Sequence, residues 1–259
     1  MRIRKAFDIP ILMYHDIRRG ERSSDASFTI SLRAFEQQLD FLSRERRVIT
    51  FHTLFSIIEG REARTGKEVI ITFDDGYENF RTLALPALVA RGLTATVFVV
   101  ASQIGGYNKW DIDAGLSRDM RSLMDAEALR EVIGAGMEIG IHGWEHRDLT
   151  ACSAAELSDE IVKSRHYVED LFGVELKTFA YPYGRYSKDH FALLESAGYQ
   201  GAVSIFSDEP FVTSNPYAMR RVYVHPKDND LRFRFKLSRA YLRYKAFRGT
   251  PRENGPVET

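Results

Sequence analysis

Apolar runs alternate along the chain with stretches where apolar residues recur every three or four positions. Ile9–Tyr14, Glu68–Phe73, Thr94–Val100, Met137–Ile141, Thr178–Tyr181 and Tyr199–Ser204 are short, nearly continuous apolar segments. Each predicts a strand buried on both faces. Val48–Phe51 predicts a further short strand, and Arg221–Val224 the last one. Between them, Leu32, Phe35, Leu39 and Leu42 follow Ser31 at helical spacing, and Ser31 is suited to cap that helix. Leu54–Ile58 starts another helix. A helix over 79–90 is interrupted by Pro86 and ended by Gly92, and Asp125 caps one that runs to Ile133. Ser153 and Glu156 form a capping box for a helix that runs to Phe172 and stops at Gly173. Ser187–Ala197 and Leu231–Phe247 complete the helices.

Strands without polar alternation, separated by helices, predict an α/β fold with a parallel sheet under a helical layer. Seven or eight such units suggest a closed or nearly closed barrel. Polar residues just past the C-terminal ends of barrel strands are then the candidates for chemistry. That rule selects His15, Asp74, Asp75, His142 and Tyr183.

Composition changes this picture little. The 259 residues are 44% hydrophobic, enough for a sizeable core. Cys152 is the single cysteine, so no internal disulfide can form. Lys+Arg and Asp+Glu both number 36, which gives no nucleic-acid signature, and no such partner is expected. The charge is uneven, however. Residues 218–252 hold eleven basic residues against Asp228 and Asp230, a net +9. The chain divides into one domain over 1–230 and a basic helix with a mobile tail over 231–259. That helix suits an anionic membrane surface or a protein contact. No run approaches the ~20 apolar residues of a membrane span. Ile9–Tyr14 is too short for a signal-peptide core. A cytoplasmic protein is expected, with the basic helix as a route to membrane association.

Asp74-Asp75 follows a buried strand, where two like charges need a cation or a shared proton. A turn with a helix cap is the plainer alternative. His142 and His146 are spaced i, i+4 and could chelate one ion; one buried and one surface histidine is the alternative. Together, two histidines and one aspartate make a three-ligand set with open positions, leaving the other aspartate free as a base. Phe179–Gly184 adds a rigid turn near the barrel mouth. The long connection 101–121 carries Trp110 and Asp111, an aromatic ring and a carboxylate suited to a sugar face and its hydroxyls.

This combination resembles the polysaccharide deacetylases, the NodB-like carbohydrate esterases. Their first motif, T-F-D-D-G, stands at Thr72–Gly76. Their second, H-[ST]-x-x-H, stands at His142–His146 with Gly143 in the second place. Ala180-Tyr-Pro-Tyr-Gly184 is similar to the third. Ile11–Asp16 and Gly105–Asp111 resemble the bacterial branch with a Tyr-His near the start. The resemblance implies an irregular (β/α) barrel of about seven parallel strands. It also implies a divalent metal, most often zinc (cobalt, nickel or manganese otherwise), on Asp75, His142 and His146. Asp74 would be the general base, and the Tyr183 N–H would help stabilise the oxyanion. Trp110, Asp111 and Tyr183 would meet the substrate. The general acid would be His15 or, alternatively, His225. The implied activity is hydrolysis of N-acetyl, or less commonly O-acetyl, groups on an amino-sugar glycan or its lipid- or nucleotide-linked precursor. Two features depart from the family. Ala180 replaces the arginine of the third motif, and Ser204–Ser207 occupies the place of the fourth. The Ala180 substitution keeps open a silent glycan- or partner-binding domain, and the same barrel with a closed pocket would instead be a hydrolase of a small non-sugar amide.

Overall fold

The computed structural model describes residues 9–20, 28–207, 209, 212 and 215–248, with side chains to 245. Eight strands form the central sheet: β1 (Ile11–Tyr14), β2 (Glu68–Phe73), β3 (Thr96–Val99), β4 (Glu138–Ile141), β5 (Thr178–Ala180), β6 (Gly201–Ser204), β7 (Met219–Arg220) and β8 (Val222–Tyr223). Their order is β7-β6-β5-β4-β3-β2-β1-β8, and every pairing is parallel. The segment 219–223 closes the ring. Its first half pairs with β6 and its second half with β1. The strand count is therefore eight rather than seven, because this last stave is split at Arg221. The Arg221 N–H still donates to the Ser204 carbonyl at 2.9 Å.

Alternation along the strands sorts the core into two parts. Ile11, Ile70, Phe98, Ala180, Val203 and Met219 fill the barrel, together with Phe51 and Phe55 of the helix Phe51–Ile58. Leu12, Phe73, Val97, Ile139 and Phe179 belong to the larger cluster beneath the outer helices.

The caps read from the sequence operate. Ser31 accepts from the Ala34 N–H, Asp125 from the Ala128 N–H, and Ser153 with Glu156 forms a reciprocal box. Two expectations change. Of the expected strand Val48–Phe51 only Val48 lies in a strand, the two-residue Arg47–Val48, which pairs with β2. Phe51 instead begins a helix, because Thr50 caps it and Glu138 accepts the Phe51 and His52 N–H groups. The expected single helix 231–247 is two helices, Asp230–Lys236 and Arg239–Arg248. Phe233 and Leu237 bury against the barrel's helical layer, and Arg46 takes the Leu237 carbonyl at the break. The residues beyond 248, where the tail was expected, lie outside the described ones. Among the described residues no helix is long and apolar enough to cross a membrane.

Candidate active site

The strand ends deliver the predicted residues to one place. Asp74 and Asp75 follow β2, and the Asp74 N–H is held by the Tyr14 carbonyl at 3.0 Å. His142 follows β4 and His15 follows β1. The described non-glycine residues with positive φ are Asp75 (73°), His146 (61°) and Tyr183 (56°). All three stand at this site. Left-handed backbone costs a residue with a Cβ about 1–3 kcal/mol, and such strain concentrates where function requires it.

Asp75, His142 and His146 offer donor atoms within 4.8 Å of one another, all buried. The two Nε2 atoms are 3.2 Å apart, and Asp75 Oδ1 lies 3.7 and 3.6 Å from them. His142 Nδ1 is 2.8 Å from the Ala180 carbonyl, so Nδ1 carries the proton and Nε2 presents its lone pair to the cluster. Burial lowers both imidazoles, keeping them neutral. Burial, with Asp111 and Asp74 adding to it, raises the Asp75 carboxyl. Two neutral nitrogen donors converging with a carboxylate fit a divalent cation better than they fit one another. Trp110 stacks on the His146 ring at 4.7 Å, and Tyr183 meets it edge-on at 4.6 Å.

Asp74 stands outside this donor set. Arg221 grips it bidentately, Nη1 to Oδ1 at 2.5 Å and Nη2 to Oδ2 at 2.7 Å. Burial alone would raise the Asp74 carboxyl, but Arg221, then His142 and His15, outweigh it. It is held well below the usual carboxylate range. The Arg221 guanidinium lies inside the barrel, 5.8 Å from the centre of the Phe98 ring. Ala180 belongs to the same interior cluster as Phe98. A guanidinium from the last stave thus reaches the carboxylate that motif three does not.

His15 Nε2 is 3.7 Å from Asp74 Oδ2. Burial pushes its imidazole down to about 4, against the opposing pull of Asp74. His225 is engaged in the turn after β8. Its Nδ1 accepts from the Lys227 N–H at 3.0 Å, and its ring packs edge-on against Tyr223. Among the described residues, His15 and His142 are the histidines within 4.0 Å of an Asp74 oxygen. Ser204–Ser207, in the place of the fourth motif, braces the third. Ser204 donates to the Gly184 carbonyl at 2.5 Å, and a Cβ on Gly184 would stand 2.5 Å from Ile205 Cγ2.

Trp110 is 8% exposed, and its accessible edge lines a cleft of about 430 Å³ beside His146. Tyr183, Glu145, Arg147, Asp148 and Glu156 line the same cleft. Asp111 is half-buried and acts on Asp75 through its charge. Sequence reasoning missed two residues. Arg221 looked like one more cation of the basic segment. Tyr77 is buried beside Asp75 and opposes the rise of its carboxyl; its place right after the Asp-Asp-Gly run was the one available signal.

A family model described as polysaccharide deacetylase matches residues 61–202, more than half of the chain. The chain belongs to the polysaccharide deacetylase family, a family of carbohydrate deacetylases. It is 26% identical over 223 residues to YxkH of Bacillus subtilis, provisionally named a polysaccharide deacetylase, covering 86% of this chain and 73% of that one. It is 27% identical over 128 residues to the peptidoglycan-N-acetylglucosamine deacetylase PgdA of Listeria monocytogenes, covering 49% of this chain but 24% of that protein. Among solved structures, the deacetylase PplD of Streptococcus pyogenes has a TM-score of 0.76 at 21% identity, over 89% of this chain and 98% of its own. IcaB from Ammonifex degensii has 0.72 at 23%, over 94% and 100%. These two show the shared barrel fold.

Proposed function

We propose, from membership of the polysaccharide deacetylase family, that the chain is a metal-dependent hydrolase. It removes N-acetyl groups, rather than O-acetyl groups, from an amino-sugar glycan or from its lipid- or nucleotide-linked precursor. One observation carries the reading: a three-donor cluster of Asp75, His142 and His146 beside a second carboxylate, Asp74, that Arg221 holds apart from it. A divalent cation on those donors, zinc first and cobalt, nickel or manganese otherwise, supplies Lewis acidity to the attacking water and the acyl oxygen.

The chain's own groups move the protons. Asp74 stays ionised beside Arg221 and takes the proton of the water. His15, 3.7 Å away, relays it to the leaving nitrogen. Its imidazole, at about 4, holds a proton more tightly than Asp74 and less tightly than an amine, so the relay from Asp74 through His15 to the leaving nitrogen runs downhill. The Tyr183 N–H, fixed in the turn Pro182–Gly184, donates to the oxyanion. The cleft beside His146 takes the sugar against Trp110 and Tyr183, which line it, and Asp111 follows Trp110 in the chain as the carboxylate for the sugar hydroxyls.

Ala180 is the feature that favours a silent binding domain. Arg221 answers it by providing the missing guanidinium. Exposed Leu231, Phe235 and Tyr244 among exposed Arg232, Arg234 and Arg243 support an anionic membrane surface as partner of the C-terminal helices.

The test is acetate release by the zinc-loaded protein from N-acetylated chito-oligosaccharides, an O-acetylated sugar and a small N-acetyl amide without a sugar. Release from the chito-oligosaccharides at the highest kcat/KM supports the reading. Preference for the non-sugar amide would replace it, and turnover of none of the three would favour the silent domain.

A further inference from the structure

The peptide between the two ligand histidines is held by a carboxylate from another element. Glu160 is 1% exposed and accepts the Trp144 and Glu145 N–H groups at 2.9 Å each and the Arg147 N–H at 3.4 Å. Three converging N–H groups form an anion-binding hollow. Glu160 lies in a π-helical turn, Asp159–Lys163, set between the α-helices Ala154–Ser158 and Ser164–Phe172. Such turns re-aim side chains and are frequent at functional sites.

Gly143 is matched to that carboxylate. Its φ is +87°, and a Cβ there would stand 2.2 Å from Glu160 Oε2. The hydroxyl residue expected in the second motif would collide with Glu160 at this position. The loop also holds His146 at φ 61°, a conformation that persists only where the surroundings fix it. The Ala101 and Ser102 N–H groups donate to the Gly143 and Trp144 carbonyls at 3.0 Å, securing the loop's other edge.

We propose that Glu160 is a positioning residue for the metal centre: it holds the 143–147 loop so that His142 and His146 present their Nε2 atoms together before a cation arrives. This rests on the metal reading above. Groups that orient metal ligands typically contribute 10–100-fold to metal affinity.

The test is zinc affinity, measured by competition with a chromophoric chelator, for wild type, Glu160→Gln and Glu160→Ala. Glu138→Gln is the control, because Glu138 is a half-buried carboxylate that likewise accepts two backbone N–H groups, at the start of β4. Zinc should bind roughly 10-fold more weakly to Glu160→Gln and nearer 100-fold more weakly to Glu160→Ala. Saturating zinc should restore kcat with KM unchanged. If the alanine variant does not fold, the nearly isosteric glutamine variant carries the test. Affinity within twofold of wild type in a folded Glu160 variant overturns the inference, as does an equal loss in Glu138→Gln. A wild-type protein that binds no zinc removes the metal reading itself, and this inference with it.

Discussion

Arg221 and Asp74, 147 residues apart in the chain, meet as a fork on a carboxylate inside the barrel mouth, each side chain 2% exposed. The split between β7 and β8 falls at this arginine, so one residue both interrupts the closing stave and sets the charge of the candidate base.

Removing one partner of a buried ion pair commonly costs about 3–5 kcal/mol, because the other charge is left alone. Arg221→Ala should lower stability by about that amount, read as a fall in thermal unfolding temperature. It should also move the acid limb of kcat/KM upwards. Burial raises the Asp74 carboxyl and Arg221 is the strongest force lowering it, so without Arg221 a higher pH is needed to ionise the base. Arg221→Lys keeps the charge but loses the fork, and should fall between. An acid limb that stays in place would separate Arg221 from the base.

Much of this was legible in the chain. Uninterrupted apolar runs gave the parallel sheet, and residues after strand ends gave Asp74, Asp75 and His142. The Arg221 contact was not legible, because no local spacing links a cation in the last stave to a carboxylate after β2. The break at Leu237 was hidden for a similar reason. Local helical preference continues through it, and only the burial of Phe233 and Leu237, with Arg46 on the Leu237 carbonyl, ends the first helix there. Glu160 falls inside the helix expected from Ser153 to Phe172, and a π turn leaves no pattern in the residues to set it apart.

If His15 relays the proton, its loss should depend on the leaving group. His15→Ala should reduce hydrolysis of an N-acetyl sugar by about 10²–10⁴-fold, but an acetylated aryl ester far less, because a phenolate leaves unaided. His225→Ala should change neither rate by more than a few-fold. Equal losses on amide and ester would remove His15 from the acid role.

His15 also makes acid sensitivity. Its folded value of about 4 lies below the unfolded value of 6.5, so the unfolded chain binds the extra proton between them. Stability is then fully present above about 6.5 and falls as pH drops towards 4, by at most about 3 kcal/mol from this group. The unfolding free energy of wild type should fall more steeply than that of His15→Gln as pH drops across that window. Parallel curves would contradict the assignment.

Membrane contact through the C-terminal helices should be electrostatic. Pelleting with phosphatidylserine vesicles should fall as salt rises from 50 to several hundred millimolar, by roughly the screening expected of exposed charges. Arg232→Glu with Arg234→Glu should abolish it. Pelleting that ignores salt, or none at all, removes the membrane as partner.

The central claim is a cation on Asp75, His142 and His146 with Asp74 as base, and the most direct test is acetate release from an N-acetylated chito-oligosaccharide. Chelator-stripped, zinc-reconstituted and zinc-loaded Asp74→Asn proteins should be compared in one assay. The account predicts turnover in the reconstituted protein alone, with the stripped protein inactive and Asp74→Asn reduced by at least about 10²-fold while still binding one zinc. Undiminished turnover by the stripped protein, or by zinc-loaded Asp74→Asn, would contradict it.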